Sequence, residues 1–272
     1  MFDYHVHSKI SADSKMEMKD ACQTAIENGV KEIAFTEHID YFYPNCELVF
    51  DFEYHEYEKS IREVEELFKG QLTVLKAVEI GIHPYSNKQS KEFTDRHFFD
   101  FILGSVHIVD DLDLHNGDYF KNKNVDEAIK LYFETINRYV KDYKDFNVLS
   151  HFTLIKRYLH FVNSHWKEVK WEKYFDVIED TFKSLIGSSR GIEVNMSGYR
   201  YRLDCALPEL PFLKLYRHLG GEIITVGTDA HSKHFVGKYL NTGYKLLDEA
   251  GFKYVTTFKE KKPDFHSIKE MI

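Results

Sequence analysis

Asp3-Tyr4-His5-Val6-His7 closes the first apolar run of this 272-residue chain. In an extended strand, residues i and i+2 share a face, so His5 and His7 point the same way and form a two-imidazole grip suited to a transition metal. The pattern returns at the downstream ends of later apolar runs: Thr36-Glu37-His38, Val78-Glu79, Ser105-Val106-His107, Ser150-His151 and Gly227-Thr228-Asp229-Ala230-His231. Each run delivers a metal-compatible side chain at the same relative position. A barrel or open sheet of parallel strands gathers such ends on one rim, where these folds place their active sites. Asp13, on the loop after the first run, lies within reach of that rim. Glu79 is a lone carboxylate at a strand end and the natural candidate to bridge two ions.

Working outward, strands are expected at 2–7, 32–37, 72–80, 99–107, 147–151, 191–195 and 223–229. Helical patterns fill Met16–Asn28, Glu53–Phe68, Val125–Tyr143, Val169–Ile186 and Pro208–Leu219, several closing on glycine. Alternation of this kind predicts βα units around a mainly parallel sheet. A further strand, Phe252–Phe258, either closes the barrel or lies beside it. The polar interval 108–126 reads as a long loop near the site, in the manner of a lid. With no repeats and no linker, the chain reads as one domain over residues 1–272.

Composition narrows the partners. The formal net charge is −8, which weighs against nucleic acid, whose phosphates demand a Lys/Arg surface. Cys22, Cys46 and Cys205 show no paired metal spacing and no disulfide framework. No apolar stretch reaches the roughly 18 residues needed to span a bilayer, and no leader-like segment is evident, so the expected setting is soluble and cytoplasmic, without a membrane partner. Sequence leaves the oligomeric state open.

A lone histidine is most often a satisfied polar or surface group. His55, His97, His115, His160, His165, His218, His234 and His266 are read that way, and His83 is ambiguous. The ordered series of strand-end ligands is a far stronger signal than any one histidine. These motifs resemble the polymerase-and-histidinol-phosphatase (PHP) superfamily over nearly the whole chain. Glu193-Val194-Asn195-Met196-Ser197-Gly198-Tyr199-Arg200 is similar to the signature of its monofunctional histidinol-phosphatases. The resemblance implies an α/β fold, a distorted (β/α)7 TIM-like barrel, and three divalent transition-metal ions (Mn, Fe or Zn). It implies His5, His7, Glu79 and Asp229 at the first metal, Glu79, His107 and His151 at the second, and Asp13, His38 and His231 at the third. Many relatives carry histidine where this chain has Asp13, so the third site is harder here.

The expected reaction is hydrolysis of a small-molecule phosphate monoester, with paired metals activating water and neutralising phosphoryl charge. Asp229 and His231 are the catalytic candidates, Asp229 as a proton shuttle to the leaving oxygen. Arg157 and Arg200, just beyond strand ends, suit phosphate bidentately; Arg190 and Arg202 are weaker candidates. For a substrate carrying an ammonium and an imidazole, Glu37 is the binding candidate, with Asp40, Tyr41 and Tyr43 nearby. The competing readings are a phosphodiesterase or nuclease, a protein-tyrosine phosphatase, a metal-dependent amidohydrolase and a non-enzymatic metal-binding protein.

Overall fold

The computed structural model describes residues 1–272. Seven parallel strands, β1 (Phe2–Val6), β2 (Glu32–Ile39), β3 (Thr73–Gly81), β4 (Phe101–Ser105), β5 (Val148–Leu149), β6 (Gly191–Asn195) and β7 (Ile224–Gly227), pair in chain order. The ends of the sheet meet: Asp229 N donates to His5 O at 2.7 Å, and His7 N donates to Ala230 O at 2.9 Å. Seven strands therefore close into a barrel, the expected (β/α)7 architecture. Register aligns the rim, with His38 on β2 directly beside Glu79 on β3.

Nearly every barrel-strand residue is buried on both faces, because helices wrap the outside of a parallel sheet. Five helices fall in the expected intervals: Met18–Glu27, Tyr54–Leu67, Val125–Asp142, Phe175–Gly187 and Leu210–His218. The third opens on a reciprocal cap between Asn124 and Glu127. Two more, Asn87–Arg96 and Leu240–Glu249, were not foreseen. Asn87–Arg96 buries only Ser90 and Thr94 fully, so it lacks the apolar stripe by which sequence reveals a helix. The stretch expected as helix from Val169 begins its α-helix only at Phe175, after a series of short 3-10 turns.

The Phe252–Phe258 candidate lies beside the barrel. Strand β8 (Tyr254–Lys259) forms an antiparallel hairpin with β9 (Lys262–Ser267). The hairpin packs on the end where the barrel strands begin: Phe258 N donates to the Tyr4 hydroxyl at 2.8 Å, and Ile224 N to Thr256 Oγ1 at 3.0 Å. That end is sealed, and the opposite rim stays available for chemistry. The interval 108–126, expected as a long lid-like loop, carries structure of its own. It folds into a short hairpin, Ile108–Val109 with Leu112–Asp113, and a 3-10 turn, Asp118–Phe120, anchored by buried Val109, Leu114, Tyr119 and Phe120. It serves as a fixed wall of the cavity. No helix is long and apolar enough to cross a membrane.

One backbone position shows how tightly the rim is drawn. A Cβ at Gly227 would collide with the Glu193 carboxylate and with the His5 side chain. Only glycine lets β7 approach β1 closely enough for the two strands to place their ligands together.

Candidate metal centre

Glu79 is the hub. Its side chain ends β3 inside the barrel, 1% exposed. Oε2 lies 3.0 Å from His5 Nε2, 3.3 Å from His7 Nε2 and 3.3 Å from His38 Nδ1; Oε1 lies 3.1 Å from His151 Nε2 and 3.5 Å from His107 Nε2. Ser105 Oγ donates to Oε1. Asp13 Oδ2 sits 3.1 Å from His231 Nε2 and 3.5 Å from His38 Nε2. Donor atoms converge as three groups, each within 4.8 Å: His5, His7 and Asp229; Glu79, His107 and His151; His7, His38 and His231. Six barrel strands, β1 to β5 and β7, and the segments that leave them thus bring all nine residues of the ligand series to one mouth.

Whether these residues suit divalent cations is answered by the donors themselves. His7 Nε2 is buried with no hydrogen-bond partner, and an orphaned buried nitrogen pointing among carboxylate and imidazole donors marks a place for a cation. Burial alone would push the Glu79 carboxyl up, yet the imidazoles of His5 and His38 hold it well below the ordinary carboxylate range. The charge that keeps it ionised is borne by protons on imidazoles: despite burial, Glu193, Glu79 and Asp229 drive His5 well above its usual value, and Asp40 and Glu79 raise His107 to about 10. His7 moves the other way, lowered by burial and by His231 and His38. Metal ions would take over the compensation those protons provide, releasing them on binding. The mix of imidazole and carboxylate suits Zn, Fe or Mn.

Two carboxylates orient the imidazoles from behind. Glu193 Oε1 accepts from His5 Nδ1 at 2.7 Å, and its Oε2 accepts from His151 N at 2.9 Å, Ser150 Oγ at 2.8 Å and Asn195 Nδ2 at 3.0 Å. Asp40 Oδ2 accepts from His107 Nδ1 at 2.6 Å. Placing the proton on Nδ1 leaves the Nε2 lone pair free to face the centre. The sequence reading had no role for Glu193 beyond its motif; the available signal was Glu193-Val194-Asn195, an alternating polar pair in a wholly buried strand. Glu193→Gln should weaken metal affinity about 10- to 100-fold, measured by competition with a chromogenic chelator. Unaltered affinity would remove Glu193 from this role.

Arg157 and Arg200 converge beside the centre. Arg157 Nη2 donates to Asp229 Oδ2 at 2.9 Å and to Ser197 Oγ, while Arg200 Nη2 lies 3.5 Å from Asp229 Oδ1. The Tyr201 ring lies beneath Arg157, 4.2 Å from ring centre to guanidinium carbon. Asp229 itself adopts φ +54°, a left-handed conformation Asp tolerates, which turns the chain after β7. Burial would raise its carboxyl, but His5, Arg200 and Arg157 together hold it well below the ordinary range. Its oxygens meet Arg157, Arg200 and His5 Nε2, the contacts of an anionic anchor at the rim.

Several expectations are corrected by the contacts observed. Glu37 does not reach the cavity. Neighbouring residues on a strand face opposite ways, and with His38 turned inward Glu37 accepts from Ser8 N at 3.0 Å, Ser11 N at 3.1 Å and Ser11 Oγ at 2.6 Å. It pins the loop after β1 and does not meet substrate. Arg190 donates to Tyr143 O and Val140 O, closing the Val125–Asp142 helix, and Arg202 is exposed. His83 pairs with Asp111 at 3.0 Å, away from the centre. His115, read as a surface residue, is exposed and also lines the mouth. The cavity, about 360 Å³, is walled on one side by the metal-compatible groups and the two arginines, and on the other by Tyr43, Asp113, His115 and Tyr158. Asp113 Oδ1 accepts from the Tyr43 hydroxyl at 2.8 Å and from His115 N at 2.7 Å.

Comparison with known proteins places this geometry among relatives. The PHP domain model matches residues 3–197. A probable histidinol-phosphatase of Clostridium acetobutylicum is 31% identical over 96% of this chain and 98% of its own. The histidinol-phosphatase of Lactococcus lactis is 28% identical over 98% of each. A crystal structure of histidinol phosphate phosphatase from Lactococcus lactis, complexed with zinc, L-histidinol and phosphate, superposes with a TM-score of 0.88 at 27% identity, covering 97% of this chain and 98% of that one.

Proposed function

The chain belongs to the PHP domain family, and from that premise we infer that it is a metal-dependent histidinol-phosphatase, hydrolysing L-histidinol phosphate to L-histidinol and phosphate. The relatives named above support the substrate and the reaction. The one observation that carries the reading within this chain is the Glu79 carboxylate shared among five imidazoles, with Arg157 and Arg200 converging alongside. That arrangement joins a metal cage to a phosphate cradle. We further propose that one domain over residues 1–272 holds three divalent ions, Mn, Fe or Zn, with His5, His7, Glu79 and Asp229 at one, Glu79, His107 and His151 at the next, and Asp13, His38 and His231 at the third.

Bound there, divalent ions supply Lewis acidity and a lowered pKa for water. The chain's own residues do the rest. Glu79 and the imidazoles fix the centre, while Glu193 and Asp40 lock the ring orientations from behind. Arg157 and Arg200 present guanidiniums to the phosphoryl oxygens, where charge gathers during transfer. Asp229, held ionised, keeps both guanidiniums aimed while serving as a ligand, and His231 acts beside it at the rim. The Tyr43, Asp113, His115 and Tyr158 wall faces the organic half of the substrate; Asp113 is its anionic group, suited to an ammonium.

Arg200→Ala should raise KM for histidinol phosphate about tenfold or more, as loss of a charge-assisted contact of about 1.5–3 kcal/mol requires, while bound metal stays at the wild-type level. An unchanged KM would take Arg200 out of the phosphate cradle. The reading as a whole is tested by kcat/KM across histidinol phosphate, p-nitrophenyl phosphate, phosphotyrosine and a dinucleotide, using enzyme reconstituted with defined metals. Histidinol phosphate should be preferred; an equal or better rate on phosphotyrosine or the dinucleotide would overturn it.

A further inference from the structure

Lys156 immediately precedes Arg157 in the turn Leu154–Arg157, yet its side chain packs away from the cavity that Arg157 lines. The side chain is 0% exposed, a place lysine almost never occupies without a partner. Its ammonium faces three rings, Trp166 at 4.8 Å, Trp171 at 4.6 Å and Phe212 at 5.0 Å from their centres, and forms an ion pair with Glu209. Stability alone does not call for such a pair, since well-packed apolar groups often serve a core as well or better. A buried ion pair does offer direction: it holds in one arrangement where an apolar contact can slide.

The segments that it ties are the ones that matter for phosphate. Glu209 ends the segment that begins with the helical turn Ser197–Arg200, which carries Arg200, while Lys156 is one residue from Arg157. The aromatic box is fastened to the same segment, because Trp166 Nε1 donates to Leu203 O at 3.1 Å and Trp171 Nε1 donates to Trp166 O at 3.0 Å. Arg157 in turn donates to Ser197 Oγ at the segment's other end. We propose that the buried Lys156–Glu209 pair is a positioning element that sets the spacing of the Arg157 and Arg200 guanidiniums and thereby the enzyme's affinity for the phosphoryl group. This rests on the reading of both arginines as phosphate ligands.

The test uses metal-loaded enzyme, with the inhibition constant of inorganic phosphate and the separate kcat and KM for histidinol phosphate as readouts. Lys156→Met removes the charge and keeps the stem; Glu209→Gln removes the partner and leaves the box filled, and it carries the test if Lys156→Met fails to fold. Either should raise the phosphate inhibition constant and KM about tenfold, the scale on which small misplacements of binding groups are felt. Bound metal should be unaltered and kcat should fall far less than KM rises. Lys156→Arg should restore most of the affinity. Lys156→Met combined with Arg157→Met should bind phosphate no more weakly than Arg157→Met alone, as expected if one residue acts through the other. A lowered thermal midpoint with unchanged phosphate affinity in both single variants, or penalties that simply add in the double variant, would overturn the proposal and leave the pair structural only. If Arg157→Met itself leaves phosphate affinity unchanged, the phosphate reading of the arginine fails, and this proposal falls with it.

Discussion

Glu79→Gln should lower kcat on histidinol phosphate about a thousandfold, because it removes several kcal/mol of charge stabilisation at about 1.4 kcal/mol per factor of ten. The substitution keeps the shape of the side chain and removes its charge. Glu79 Oε2 and Oε1 lie between 3.0 and 3.5 Å from five imidazole nitrogens, so one change disturbs every candidate ion site that shares it. Metal analysis of the purified variant should show fewer than the wild-type number of ions per chain. The carboxamide also disturbs the resting protein. Ser105 Oγ donates to Oε1, and the protons on His5 and His107 are held partly by this carboxylate. A variant with wild-type metal content and kcat within about tenfold of wild type would show that Glu79 bridges nothing.

Asp229→Asn is the second large effect, expected at about 10²- to 10³-fold in kcat, the scale for a preorganised electrostatic group at a reacting centre. Asp229 is where the two halves of the site meet, with one oxygen 2.9 Å from Arg157, the other 3.5 Å from Arg200 and 4.0 Å from His5 Nε2. The amide preserves the turn after β7, since Asn tolerates the left-handed conformation as well as Asp does. The backbone closure from Asp229 N to His5 O should survive, and with it the fold. Circular dichroism and the thermal midpoint should therefore change little beside the kinetic loss. A kcat within about tenfold of wild type would place Asp229 outside the reacting centre.

Much of the barrel could be read directly because its strands, buried on both faces, are short apolar runs that end on metal-compatible side chains. His5 on β1 and His7 just past it, and Asp229 and His231 after β7, recur with the same spacing at the two strands that close against each other. Glu193 and Ser197 stand in the quoted signature and Asp40 close to Glu37, but each supports another functional side chain through a contact far along the chain, which no local pattern reports. Glu37 misled for the opposite reason. It is an acidic residue beside a ligand, but the pleat turns it to the far face, where amides of the β1 exit loop neutralise it. Asn87–Arg96 escaped notice because polar buried contacts replace the apolar stripe, and the role of residues 108–126 depended on tertiary anchoring of Val109, Leu114, Tyr119 and Phe120 that no local pattern reports.

The polynuclear centre is tested most directly by anomalous diffraction from crystals of the protein grown with Mn, Fe or Zn, collected on either side of the metal's absorption edge. The account predicts three peaks, one for each of the donor groups gathered at the barrel mouth, with Glu79 lying between two of them. Crystals saturated with divalent cation that show no anomalous density beside Glu79 would contradict it.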